Sequence, residues 1–476
     1  MSNEEKDSEY ESYDCIIVGG GINGLAIGAM LSFDGYSVLL IEKEDELGGR
    51  TRVEEKVGFV LEKGLHLIKY GWKNALNNVL RHLKDEDYER LFIHPIRHYY
   101  LYVGNQINDI KPNLYERFQR KWFNRGWISV PSKMKEIRKH NYFSAWNLMK
   151  IFTTGFKCDF DNIKDESLRN FIDKKNIPEI AARYLKLAAG VLLHCPYSSV
   201  VSAGEVIRHI KWSSKQPVLY GYPSGGWGNI IERLRENLLL NGQIKTGETV
   251  ESVVCENTDE GDGASYIATG VKTDKGQYRS KYVITAIPPK QLPPLFENQA
   301  SGSILPNDLS TFIDELVPTC GLSFDIALNE RVYRGNAFLY TENPNGYGIF
   351  LSNLDPSIAP DDKQLFRAFI PLSPKRINDT EYIQENINKS RDYIYGLFPK
   401  MKDHILFEDV EVHELVDSCQ VNTEQHKNAR PDSRIKNMKN VYMVGDFINA
   451  YGSGGELGYN SIWKAYRLIK KSLNQS

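Results

Sequence analysis

A short apolar run, Cys15-Ile-Ile-Val18, leads directly into Gly19, Gly21 and Gly24, and this constrains the chain more than any other feature. The run reads as a buried parallel strand. The G-x-G-x-x-G spacing after it permits a tight turn, leaves room for a pyrophosphate against the backbone, and lets the next helix pack closely on the strand. That helix is expected over Ile22 to Phe33, with Asn23 in its first turn and Asp34-Gly35 closing it. Its free N–H groups and dipole favour an anion at the N-terminus. A second strand, Ser37 to Ile41, runs into Glu42-Lys43. A carboxylate there accepts hydrogen bonds from a ribose diol and repels a 2′-phosphate, which disfavours NADP.

Leu47-Gly48-Gly49-Arg50-Thr51 follows this strand. Two glycines and an arginine just past the ribose-binding Glu42 resemble the extended fingerprint of the FAD-dependent amine oxidase and phytoene desaturase superfamily. The resemblance implies that Gly48 and Gly49 bring the backbone close to FAD and that Arg50 neutralises its pyrophosphate.

The rest of the chain reads as an α/β protein interrupted by insertions. Phe59 to Ile68 holds a strand and a turn at Gly64-Leu65-His66. Residues from about 75 to 222 are helical in pattern. Tyr222-Pro-Ser-Gly-Gly-Trp-Gly228 opens an amphipathic helix with Ile230, Ile231, Leu234 and Leu238 on one face. Strands at about 248–255, 265–272 and 278–286 form an antiparallel meander that closes on a buried strand, Tyr282 to Pro289. Strands near 320–328 and 365–371 and a helix near 380–397 predict a second sheet. Asn440 to Asp446 is a strand ending in Gly445-Asp446. The glycine-rich loop Tyr451–Gly458 and a helix over about 459–472 follow it.

These pieces, in this order, resemble FAD-dependent oxidoreductases with a glutathione-reductase-type Rossmann domain, in particular the phytoene desaturase-like branch. The implied fold is a discontinuous FAD-binding domain (13–74, 222–300 and 431–476) and a mixed-sheet substrate domain with a helical insertion (75–221 and 301–430). Carried over residue by residue, Gly64-Leu65-His66 matches the family segment passing the flavin, and Val250 the position whose backbone meets adenine. Gly445-Asp446 matches the pair holding the ribityl and pyrophosphate region. Glu456-Leu457-Gly458 matches the helix start beneath the flavin pyrimidine, where a positive helix end favours electron uptake. No Cys lies in Ser453-Gly-Gly-Glu456, so non-covalent FAD is expected.

The segment Val416 to His426 lacks the Trp and G-x-Y stretch of amine oxidases, whereas Ser352-Asn-Leu-Asp-Pro356 and Arg430-Pro431 resemble the desaturase branch. The implied activity is hydride transfer between flavin N5 and a C–C bond of a long apolar, isoprenoid or carotenoid-like substrate, by a desaturase, dehydrogenase or reductase. Ile177, Ile180, Leu185, Leu187, Ala188, Ala189, Val191, Leu192 and Leu193 are either cavity lining or ordinary helix core. Two alternatives stand beside this reading. One is a flavin amine oxidase. The other is a prenyl-binding chaperone of the Rab GDP-dissociation-inhibitor type, against which Gly21, Gly24, Glu42 and Gly48-Gly49-Arg50 argue. No acid or base is assigned.

A net charge of -2 carries no nucleic-acid signature. The scattered cysteines, none in a C-x-x-C pair, argue against structural disulfides and zinc and fit a reducing cytoplasm. Residues 1–12 read as a polar, disordered tail without the apolar core of a signal peptide, and no run reaches transmembrane length. Between Arg117 and Lys157, basic residues (Arg120, Lys121, Arg125 and others) alternate with Phe118, Trp122, Phe123, Trp127 and Trp146. This pattern fits either a helical lid or peripheral contact with an anionic membrane.

Overall fold

The computed structural model describes residues 11–64, 66–84, 94–96, 99–102, 160–213, 215–216, 219–258, 266–298, 302–335 and 338–474. Leu65 and the segment 117–157 lie outside them, as do residues 1–10. The expected tail ends sooner than residue 12, because the opening strand, Ser12–Val18, already includes Ser12. Arg279 N–H donates to the Glu11 carbonyl and extends that pairing by one more residue.

A seven-stranded sheet carries the glycine motif. Its parallel part places Gly242–Lys245, Val38–Ile41, Ser12–Val18 and Gln277–Thr285 side by side, and Val441–Met443 pairs with the end of Gln277–Thr285. The start of Gln277–Thr285 instead joins the antiparallel meander Val250–Asn257 and Tyr266–Thr273. Cys15, Ile16, Ile17 and Val18 are all buried, as expected of a strand covered on both faces.

The opening helix spans Ile22–Phe33, is buried from Gly24 to Ser32, and ends at Asp34, with Gly35 left-handed. It packs against the helices Trp227–Leu238 and Gly455–Leu473. Gly24 is the close-approach position. A Cβ there would lie 2.0 Å from the Gly19 carbonyl oxygen, so no side chain fits without moving the turn.

The second sheet is six-stranded, in the order Ile405–His413, Cys320–Leu328, Gln364–Leu372, Asn345–Phe350, Phe338–Glu342 and Tyr99–Tyr102. All its pairings are antiparallel except the last. Leu322, Phe324, Ile326, Phe366 and Ala368 point to one face and meet Ile394, Tyr395 and Phe398 at the end of the helix Thr380–Leu397.

The region from 75 to 222 is less uniformly helical than its sequence pattern predicts. The helices Ala75–His82, Leu168–Lys174, Glu179–Leu193 and Ala203–Ser213 are present. Short strands His94–Pro95 and Tyr220–Tyr222 also occur there, and the latter pairs with Ile68–Lys69. Two- and three-residue strands carry too little periodicity to announce themselves. Leu185, Ala188, Ala189, Val191, Leu192 and Leu193 belong to the main hydrophobic core. The final helix begins at Gly455 rather than near 459, so Glu456, Leu457 and Gly458 form its first turn.

Candidate cofactor and active site

Two glycine turns touch to form the floor of the site. Gly48 N–H donates to the Gly20 carbonyl at 2.9 Å, and Gly21 bridges Gly48. Gly48 is left-handed (φ 103°), a conformation that few side chains tolerate. Thr51 Oγ1 donates back to the Gly48 carbonyl at 2.9 Å and closes the turn. A Cβ built on Gly21 meets nothing within 4 Å, so this glycine borders open space.

The opening helix is capped by Gly21 and the final helix by Gly454, both without a side-chain hydrogen bond. No side chain of the cap residues therefore satisfies their first-turn N–H groups. The two helix starts meet where a Cβ on Gly458 would come within 2.7 Å of Asn23 Nδ2. Asn23 Oδ1 is buried there without a hydrogen-bond partner.

Glu42 is nearly buried at the end of its strand. Its carboxylate accepts from Gly20 N–H at 2.5 Å and Glu44 N–H at 3.0 Å. Lys43 points to solvent beside Glu44 and joins nothing in the site. Val250 is buried under the strand ends and pairs with Thr273 at an irregularity in the meander.

Arg50 and Asp446, both expected near the cofactor pyrophosphate, are paired with each other in the structure. Both guanidinium ends reach the carboxylate, at 2.9 and 3.0 Å, and Arg50 Nη1 also donates to the Val416 carbonyl. Ser418 N–H donates to Asp446 at 2.8 Å. Burial works against the charge on Arg50, and Asp446 more than offsets it. Arg50 nevertheless keeps 38 % of its side chain accessible. Gly445 N–H donates to Ser461 Oγ of the final helix.

His66 is held by its own segment and by Trp227. Its Nε2–H donates to the Lys63 carbonyl at 2.7 Å and its ring meets Trp227 edge-on. Burial lowers it to about 4, so it is neutral at physiological pH. Glu456 also turns away from the glycine floor, toward Ala75 N–H and Asn460. Burial raises its carboxyl to about 8. A neutral acid in the first turn leaves the positive helix end uncompensated and open to a ligand.

Sequence reasoning missed several buried charges. Lys69 Nζ donates to the Leu192 carbonyl and to Ser453 Oγ, both at 2.7 Å. Burial lowers it to about 8, against the pull of Asp417 and Glu456. Arg367, fully buried, binds Asp325 through Nε and Nη2 at 2.5 and 2.8 Å, and Glu62 through its carboxylate and carbonyl. Glu62 Oε1 in turn accepts from Tyr222 hydroxyl and from Trp227 N–H, the first residue of its helix. Burial lifts Glu62 to about 7 despite Arg367. The Pro223-Ser-Gly-Gly226 turn is thus held by carboxylates from elsewhere, with Gly225 N–H on Asp355 at 2.6 Å. A buried lysine three residues past His66 was the one local signal available; the other partners lie far apart in sequence.

Among the described residues no group of His, Cys, Asp and Glu is arranged to hold a metal ion, and no helix is long and apolar enough to cross a membrane.

The sequence model of the family "Flavin containing amine oxidoreductase" matches residues 22–453. A 4,4'-diapolycopen-4-al dehydrogenase of Metabacillus indicus is 24% identical over 75% of this chain and 74% of its own length. A 4,4'-diaponeurosporene oxygenase of Staphylococcus haemolyticus is 22% identical over 83% and 82%. The crystal structure of an oxidoreductase from Methanosarcina mazei superposes with a TM-score of 0.70 at 18% identity, covering 97% of this chain and 100% of that one. The open space at Gly21, the unpartnered Asn23 Oδ1 and the two uncapped helix starts fit FAD, the dinucleotide cofactor of this family.

Proposed function

The chain belongs to the family of flavin-containing amine oxidoreductases and is an FAD-dependent oxidoreductase, and we propose that it removes hydrogen from, or adds it to, a C–C bond of a long apolar, isoprenoid-type substrate. Bound FAD supplies a two-electron acceptor that takes hydride at N5.

The chain's own residues supply position and electrostatics. Gly21 and Gly48-Gly49 would admit the pyrophosphate, with the first turn of the opening helix donating N–H groups to it. Glu42 would hold the ribose, and Arg50 with Asp446 would hold the pyrophosphate and ribityl region. The start of the final helix, with Glu456 neutral and Leu457 buried, would stabilise negative charge on the flavin pyrimidine.

The names of the two relatives carry the substrate class, and one feature of the structure stands beside them. Tyr220, Phe338, Tyr347 and Phe369 form a continuous row of rings, with successive centroids 5.6, 5.1 and 5.5 Å apart. All four rings are buried in the main hydrophobic core and give this side of the six-stranded sheet an aromatic, apolar character. The carboxylate that reaches it, Asp417, is already engaged with His194 at 2.8 Å and is not free for an ammonium. The two named relatives support the same reading through the hydrocarbon skeletons in their names.

The test is anaerobic. 4,4'-Diaponeurosporene in detergent micelles should bleach the flavin, or reoxidise it if the enzyme works as a reductase. Putrescine and benzylamine should do neither. Rapid bleaching by an amine would replace this reading with amine oxidation. We further propose that the segment 117–157 docks on anionic membranes, where such a substrate resides. Co-sedimentation with anionic liposomes that weakens with salt supports the docking, and no sedimentation at low salt refutes it.

A further inference from the structure

His194 ends the helix Glu179–Leu193 in the left-handed conformation, φ 51°. Glycine or asparagine is the usual occupant of that position, because a Cβ is crowded by the following carbonyl there. The strain places the imidazole against a carboxylate: Nδ1 lies 2.8 Å from Asp417 Oδ2. The ring is 6.2 Å from both Tyr347 and Phe369, at the end of the row of rings. The side chain keeps 16 % accessibility, and among the described residues Nε2 makes no hydrogen bond.

Asp417 belongs to the segment that wraps the cofactor side. Its neighbours on either side bind Arg50 through the Val416 carbonyl and Asp446 through Ser418 N–H. Its own Oδ1 lies 2.6 Å from where a Cβ on Gly454 would stand, at the cap of the final helix. Lys69, Arg50 and Tyr347 are the other titratable groups facing it. Burial alone would raise Asp417, but His194, Lys69 and Arg50 hold it well below the usual carboxylate range. The pair therefore stands where the loop before the final helix meets the buried aromatic rings of the six-stranded sheet.

We propose that His194, oriented by Asp417, exchanges the proton at the substrate carbon next to the one that exchanges hydride. The proposal rests on the hydrocarbon reading above. Forming a C=C bond breaks two C–H bonds. One hydrogen leaves with its electron pair to FAD, the two-electron acceptor. Its neighbour leaves as a proton to Nε2, and the electron pair of that C–H bond becomes the π bond. Asp417 keeps the hydrogen on Nδ1, so that Nε2 is the base, and it balances the imidazolium that results. In the reverse direction the same nitrogen returns the proton.

The holoenzyme, the His194→Ala, His194→Gln and Asp417→Asn variants, and 4,4'-diaponeurosporene micelles decide the matter. His194→Ala should slow limiting flavin bleaching by about 10²- to 10⁴-fold with little change in the half-saturating substrate concentration, and free imidazole should restore part of the rate. His194→Gln fills the site, keeps a donor for Asp417, and should be equally slow without rescue. In the ¹⁵N spectrum of wild type, His194 should carry its hydrogen on Nδ1, and Asp417→Asn should erase that preference. Unchanged bleaching in both His194 variants, or a wild-type hydrogen on Nε2, overturns the proposal. Loss of rate without rescue, together with loss of flavin, reduces the pair to a helix-ending contact and also overturns it. If wild type is not bleached by the hydrocarbon, the substrate reading falls instead, and the ¹⁵N spectrum still tests the pair.

Discussion

The glycine floor and the junction beneath the six-stranded sheet solve opposite problems. On the floor, Gly19, Gly21, Gly24, Gly48 and Gly49 act by lacking side chains, and the contacts there are largely backbone to backbone. At the junction, Arg367, Glu62 and Asp325 act entirely through side chains, and Arg367 and Glu62 are 305 positions apart. A large anion needs space and N–H groups, which a short run of glycines supplies locally. Tying the strand Phe59–Glu62 to the six-stranded sheet through a buried interface needs specific charges in register, which only the assembled fold brings together.

The sharpest way to break this contrast is inside the glycine motif itself. Gly24→Val should abolish folding, because its Cβ would stand 2.0 Å from the Gly19 carbonyl. Gly21→Val, with nothing within 4 Å of its Cβ, should yield folded but colourless protein. Circular dichroism and flavin absorbance on both variants read this directly. If Gly21→Val keeps its flavin, the floor is not where the pyrophosphate binds.

The junction should fail next. Arg367→Met leaves two buried carboxylates unpaired and should cost about 3–5 kcal/mol in chemical denaturation. Neutralising all three positions together (Glu62→Gln, Asp325→Asn, Arg367→Met) should recover part of that loss. If the single and triple variants are equally unstable, the charges matter through packing alone.

Glu42→Ala should weaken FAD by roughly 1.5–3 kcal/mol, the worth of hydrogen bonds to a charged group, while the melting of flavin-free protein changes less. Equilibrium flavin titration checks it. The most gradual effect is pH-dependent, spread over several pH units. Glu456 has a carboxyl near 8 in the fold against 4.5 when free. The folded state therefore holds a proton that the unfolded chain has lost, and wild-type stability falls as pH rises through that window. Glu456→Gln cannot ionise, so its melting temperature should gain on wild type between pH 5 and pH 8, on the order of 1 kcal/mol per pH unit. A constant gap would mean that Glu456 is ionised in the fold.

Much of the floor was legible in the sequence because its signals are local. The strand, turn and helix from Cys15 to Phe33, the Gly48-Gly49 turn and the meander at 250–285 all follow from runs shorter than about 40 residues. Lys43 illustrates the limit: it shares the motif yet faces solvent, since adjacent residues of a strand end point in opposite directions. Arg50 and Asp446 were legible as charges near the cofactor, but their pairing with each other was not.

By itself, then, the sequence determined the dinucleotide turn, since glycine spacing and strand–helix periodicity act within a few turns of chain, and its resemblance to a known family supplied the family and the cofactor. Tertiary structure alone decided that Glu456 turns inward, that Lys69 pins the Ser453 loop to the end of the helix Glu179–Leu193, and that His194 meets Asp417 across 223 positions. The physical reason is that buried charges take their partners and their protonation from whatever the folded chain places within a few ångströms. No local pattern encodes that distance.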